Sequence, residues 1–163
     1  MEQRLKEPEK LQGIYRPLSG FNSYLAKSRI EKNLLDLIDF RVSQINGCAF
    51  CLDMHSKDLR AKGETEQRLY MMDAWREASI YSDRERAALG WAESVTLVTQ
   101  GHIPDEAYNE VRQQFSEEEV IDLTLATLAI NCWNRINVAF RTPSGDYQPG
   151  QFEAMAKLKL QNN

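Results

Sequence analysis

The 163-residue chain has no apolar run approaching the ~20 residues that a membrane-spanning helix needs, because charge or amide interrupts every hydrophobic stretch within a few positions. A basic excess is also missing: 20 Lys and Arg face 24 Asp and Glu, a formal net charge of −4. That leaves no positive field to hold nucleic acid or an anionic membrane. The first residues, Met1-Glu2-Gln3-Arg4-Leu5-Lys6, carry no apolar core of a secretory signal. The expectation is a soluble cytoplasmic protein. Strand patterns are scarce as well. No β-branched run alternates at period two, and Asn46-Gly47 separates two helical patterns rather than two strands. Cysteines number three, an odd count that does not read as a disulfide framework.

What is present is helical. Leu34, Leu35, Ile38, Val42 and Ile45 recur at three and four residues and predict a helix over 31–45. A second is expected to start after Gly47, near Cys48, and to run to Lys62, with Gly63 as its left-handed stop. Others are expected over 66–77, over 83–99 behind the capping box Ser82-Asp83-Arg84-Glu85, from Pro104 to Phe115, and over 117–140 behind Ser116-Glu117-Glu118-Glu119. The segment 8–28 is helical in pattern, with Leu11, Ile14, Leu18, Phe21 and Leu25 near one face and Pro17 expected to kink or split it. The string 142–150 is turn chemistry, and one short, loosely packed helix is expected at the C-terminus. With 42% hydrophobic residues and no internal repeat, 1–163 reads as a single all-α, multi-helix domain.

The chemistry sits in Cys48-Ala49-Phe50-Cys51-Leu52-Asp53-Met54-His55. At helical spacing Cys48, Cys51 and His55 line one stripe, with His55 displaced by about 6 Å along the axis from Cys51 and about 10.5 Å from Cys48. The imidazole is therefore the better base for Cys51. A thiolate attacks a peroxide or a disulfide, and both a histidine and a helix N-terminus favour the anion. Attack by Cys51 leaves a sulfenic acid that Cys48, one turn away, condenses with to form a disulfide. Two other readings stand beside this one. Cys48, Cys51, His55 and Cys132 would compose a Cys₃His zinc set, though no second Cys-x-x-Cys or His-x₃₋₅-His pair accompanies them. The two cysteines are otherwise small apolar core residues. Haem attachment fails because Leu52, not histidine, follows Cys51.

The stretch Arg41 to His55 resembles the signature of the AhpD-like alkylhydroperoxidases of the carboxymuconolactone decarboxylase superfamily. Trp75-Arg76-Glu77, Glu85 to Glu93, Trp133-Asn134-Arg135 and Ala139-Phe140-Arg141-Thr142-Pro143 are similar to that family too, so the resemblance covers about 35–149. It implies an all-α fold, a trimeric or hexameric homo-oligomer and a peroxide-reducing cysteine pair, re-reduced by a dithiol or protein reductant. No metal, flavin or haem cofactor is implied. In the family's terms Cys51 is peroxidatic and Cys48 resolving. His55 is part of a proton relay that continues to a glutamate twelve residues before the first cysteine. That position is Asp36, one methylene shorter, and a water would bridge the gap. The residues between the cysteines, Ala49 and Phe50, depart from relatives that carry a histidine there, and Phe50 is expected to pack rather than to recognise substrate. His102 reads as a loop histidine, Cys132 as core, and Trp75, Trp91 and Trp133 as core or subunit contacts. The leading expectation is thus a thiol peroxidase acting on a hydroperoxide. Alternatives are a protein-disulfide reductase or redox adaptor using the same dithiol, and a non-catalytic zinc or interaction module. A muconolactone decarboxylase is weaker, since the Cys-x-x-Cys has no task in it.

Overall fold

The structure, a computed structural model, describes residues 2–152. Among these there are seven α-helices and no strand: α1 (Gln12–Leu25), α2 (Lys32–Asn46), α3 (Ala49–Ala61), α4 (Glu66–Tyr70), α5 (Asp83–Thr96), α6 (Asp105–Gln114) and α7 (Glu117–Phe140), with short 3₁₀ turns at Pro8–Leu11, Met72–Ala74 and Val98–Gln100. No helix among the described residues is long and apolar enough to cross a membrane. The C-terminal helix expected from the sequence falls beyond 152, outside the described residues.

α2 is the hub, packed against α3, α5 and α7. The stripe read from its sequence, Leu34, Ile38 and Val42, enters a core shared with Ala88, Trp91, Val111, Leu123 and Ile130. Its other side carries Leu37 and Phe40 into a second core with Leu59, Leu69, Met72, Trp75 and Leu89. Two cores on one helix explain why α2 is buried on both sides. Both capping boxes form, Ser82 with Glu85 and Ser116 with Glu119. Arg84 then joins three helix ends by pairing with Glu31 at 2.9 Å and Glu119 at 2.7 Å and donating to the Gln114 carbonyl at 2.5 Å.

Three expectations differ from the structure. Pro17 neither splits nor ends α1. Pro17 and Gly13 are both exposed, so the Gly13 carbonyl that loses its helical partner faces water. The helix expected over 66–77 stops at Tyr70. Arg86, from α5, instead takes the carbonyls of Trp75 (3.0 Å), Arg76 (2.6 Å) and Ala78 (2.5 Å), and these tertiary bonds replace helical ones. The long helix expected over 83–99 ends at Thr96 and continues as a 3₁₀ turn.

A buried polar clamp fixes the end of α2. Asn46 donates to Asn131 (3.0 Å) and Asn134 (2.9 Å) on α7, Asn134 donates to the Ser43 hydroxyl (3.0 Å), and Asn131 donates to Thr96 (3.0 Å). Ser43 and Asn134 are fully buried. Such groups are satisfied only in this arrangement, so the network specifies how α2 meets α7. Asn134→Ala should lower unfolding free energy by about 1–3 kcal/mol, the range for orphaning buried hydrogen-bond partners. Urea denaturation checks this.

Candidate functional site

The site is built where α2 turns into α3. Gly47 adopts the left-handed conformation, φ 63°, which an L side chain adopts only at a cost. Its N–H bonds to the Gln44 carbonyl and that of Cys48 to the Ser43 carbonyl, each at 3.1 Å, satisfying the end of α2. The chain thereby reverses within one residue, and Cys48 becomes the N-cap of α3, its sulfur accepting from the Cys51 N–H at 3.4 Å. Cys48 and Cys51 are joined as a disulfide, with Cα atoms 5.3 Å apart. Both are almost completely buried.

Cys51, His55 and Leu59 form the buried stripe of α3, so the face that carries the motif turns inward as its spacing required. His55 Nε2 is buried without a hydrogen-bond partner. Loss of water pushes the imidazole pKa down to about 4; Asp58 opposes the shift and Lys62 adds to it. The histidine is therefore neutral at neutral pH. Asp36 does not partner Nε2. Its carboxylate pairs with Lys62 at 2.6 Å. Asp39, one turn further along α2, has its pKa pushed up to about 8, chiefly because the surrounding atoms exclude water from its carboxyl and further because Asp36 is negative; Lys62 opposes. Asp36, Asp39 and His55 therefore meet electrostatically at Lys62.

Asn137 of α7 is a residue the sequence reading missed. Its Nδ2 lies 3.5 Å from Cys51 Sγ and donates to the Trp133 carbonyl at 2.9 Å. Over Cys48 opens a groove of about 470 Å³, lined also by Phe50, Asn137, Val138, Arg141 and Pro143; Cys51 does not line it. Phe50 lines this groove and also meets Phe152 edge-on, centroids 6.4 Å apart. A larger concavity, about 900 Å³, lies against Leu52, Ser56, Arg60 and Tyr70, and neither cysteine lines it. The segment after α7 straps the outer side of α3. Lys57 donates to the carbonyls of Gly145 (2.7 Å) and Tyr147 (3.1 Å), Asp53 accepts from Gly145 N–H (2.9 Å), and Asp58 accepts from Tyr147 hydroxyl (2.9 Å). The hydrogen bond from Lys57 holds Asp53 below the usual carboxylate range.

Cys132 is a half-buried free cysteine, and among the described residues no three His, Cys, Asp or Glu side chains converge to hold a metal ion. Trp75 and Trp91 are core residues, whereas Trp133 is partly buried and packs against Tyr15 at 5.5 Å. His102 sits exposed with φ 59° after Gly101.

Residues 13–94 match the profile of the carboxymuconolactone decarboxylase family. The chain belongs to that family. Within it the fold is AhpD-like. A structure of a protein of unknown function from Agrobacterium tumefaciens, proposed as an antioxidant defence protein AhpD, is 38% identical with a TM-score of 0.84, over 90% of this chain and 100% of that one. The uncharacterized protein YdfG of Bacillus subtilis is 47% identical over 122 residues, 75% of this chain and 83% of its own. The debrominase Bmp8 shares the fold at 21% identity and a TM-score of 0.74, over 85% of this chain and 74% of that one.

The two shifted groups give a pH signature. Asp39 keeps its proton in the folded state up to about pH 8, whereas an unfolded aspartate releases it near its ordinary value of 3.8. Stability contributed by Asp39 is therefore lost as pH rises through that interval. His55 acts oppositely between its folded value of about 4 and the ordinary histidine value of 6.5, gaining stability as pH rises. The two slopes offset each other below pH ~6.5 and leave Asp39 alone above it. Between pH ~6.5 and ~8, unfolding free energy should fall by up to about 1 kcal/mol per pH unit more in the wild type than in Asp39→Asn. Denaturant titrations of both proteins at three pH values measure the difference.

Proposed function

We propose that this family member is a thiol peroxidase that uses Cys48 and Cys51 as a dithiol/disulfide couple. The observation that carries the reading is the Cys48–Cys51 disulfide at the N-terminus of α3, beneath an open groove and one turn from a buried, neutral, unpartnered histidine. In the reduced protein His55 takes the Cys51 proton. The desolvation that depresses its pKa beside a disulfide is countered once a thiolate stands next to the imidazolium. The Asn137 N–H and the start of α3 add to stabilisation of that anion.

The thiolate attacks the distal peroxide oxygen, the O–O bond breaks, and the alkoxide takes a proton to leave as an alcohol. Cys51 is now a sulfenic acid. Cys48 displaces its hydroxyl, which leaves as water, and the disulfide forms; overall two thiols and ROOH give a disulfide, ROH and water. Asp39, protonated at neutral pH, and His55 are the two proton holders near Lys62. Asp36 sets the charge at Lys62 that both of them feel, a positioning role exerted through the lysine. Cys48 lines the groove, so an incoming dithiol attacks it and expels the Cys51 thiolate, closing the cycle. The same reading places the protein in a reducing cytoplasm and in a trimeric or hexameric homo-oligomer, for which exposed Ile121 and Leu128 on α7 supply apolar surface.

One equivalent of an organic hydroperoxide should convert the prereduced protein to the Cys48–Cys51 disulfide, read by mass spectrometry. Cys51→Ser should abolish turnover, and Cys48→Ser should trap one sulfenic acid on Cys51. Persistence of both thiols in the presence of peroxide would overturn the peroxidase, and reduction of a model protein disulfide by the same protein would replace it with a disulfide reductase. Sedimentation should give a species well above the 18.8 kDa of one chain.

A further inference from the structure

The last helix ends on a residue that is conformationally expensive. Arg141 caps α7 in the left-handed conformation, φ 53° and ψ 53°, where glycine is the usual occupant and a side chain costs about 1–2 kcal/mol. The backbone does not need an arginine for this. The Arg141 and Thr142 N–H groups close the end of α7 onto the Val138 and Asn137 carbonyls, and the Ala139 and Phe140 carbonyls accept from Arg4. A glycine at 141 would leave those bonds in place. What the arginine adds is a cationic side chain on a residue that lines the groove together with Cys48.

That guanidinium is unlike most of its kind in the chain. Arg41, Arg68 and Arg84 are tied to carboxylates, and Arg86 to backbone carbonyls. Arg141 makes no ion pair or side-chain hydrogen bond with any described residue. Among the described residues that line the groove it is the single charged one. Phe50, Val138 and Pro143 supply apolar wall and Asn137, Thr142 and Ser144 supply polar wall, and about 470 Å³ is a volume suited to a small organic molecule. Strain kept at the mouth of a site, in a protein with net charge −4, marks a residue held for what it binds.

We propose that the groove over Cys48 selects an amphipathic organic anion, with Arg141 holding its carboxylate and Phe50, Val138 and Pro143 packing its apolar body. The peroxide identity of that substrate rests on the thiol-peroxidase reading; the charge selection belongs to the groove whatever reacts there. Two arms separate them. In the first, the reduced protein is alkylated with iodoacetate and with iodoacetamide, reagents that differ in charge and require no peroxidase activity. The iodoacetate-to-iodoacetamide rate ratio should fall about 5- to 10-fold in Arg141→Gln, stay near wild type in Arg141→Lys, and shrink with added salt. In the second arm, linoleic acid hydroperoxide is compared with its methyl ester as oxidant of the cysteine pair. The acid should be preferred by a similar factor in the wild type and not in Arg141→Gln. An unchanged alkylation ratio in Arg141→Gln overturns the charge selection. A fallen ratio with neither hydroperoxide oxidising the pair upholds the anion site and removes the peroxidase. Arg141→Gly, which relieves the backbone, should be at least as stable as the wild type while losing the ratio, separating recognition from folding.

Discussion

Everything chemical in this molecule depends on one left-handed residue. Gly47 ends α2 and, within a single peptide, hands the chain to α3 with Cys48 in the capping position. Without that reversal the sulfurs would continue along α2 and project wherever its periodicity sent them. With it, the first cysteine lies at a helix start and the second one turn inside. The histidine follows on the same buried stripe. The turn itself is held by the asparagines of α7 through Asn46, so the geometry of two sulfur atoms is underwritten by hydrogen bonds from a helix more than 80 residues later in sequence.

The electrostatics of the site follow from dryness more than from charge. His55 is kept neutral because water is excluded, and the same exclusion keeps a proton on Asp39 well above the usual carboxylate range. Lys62 works against the charged histidine and for the charged aspartate. The Asp36 carboxylate, 2.6 Å from Lys62, opposes the lysine's effect on Asp39. A proton system of this kind responds to reduction of the cysteines, because the new anion appears inside the same low-dielectric volume.

Helical spacing made Cys48, Cys51 and His55 legible as one stripe, and the glycines at 47 and 63 and the two Ser-x-x-Glu boxes marked helix ends that the structure reproduces. Those signals are local, and local rules read them. Asn137 gave no such sign, and Arg141 stood out only as part of a family-like string, because their meaning comes from where the end of α7 meets the start of α3. The break after Tyr70 escaped for a related reason. Nothing in residues 66–77 announces that Arg86 will claim their carbonyls. Asp36 could be located by counting but not understood, since its partner Lys62 sits on another element.

Cys48 is asked to satisfy two unequal demands. As an N-cap, sulfur is a poorer acceptor than the oxygen of serine, aspartate or asparagine, which dominate that position. The chain thus begins α3 with an inferior cap in order to place a sulfur there. On the thiol-peroxidase reading, helix initiation and redox chemistry share one sulfur, so reduction of the pair acts on the anchor of the first turn of α3. Evolution toward a more stable protein at this position would run directly toward an inert one.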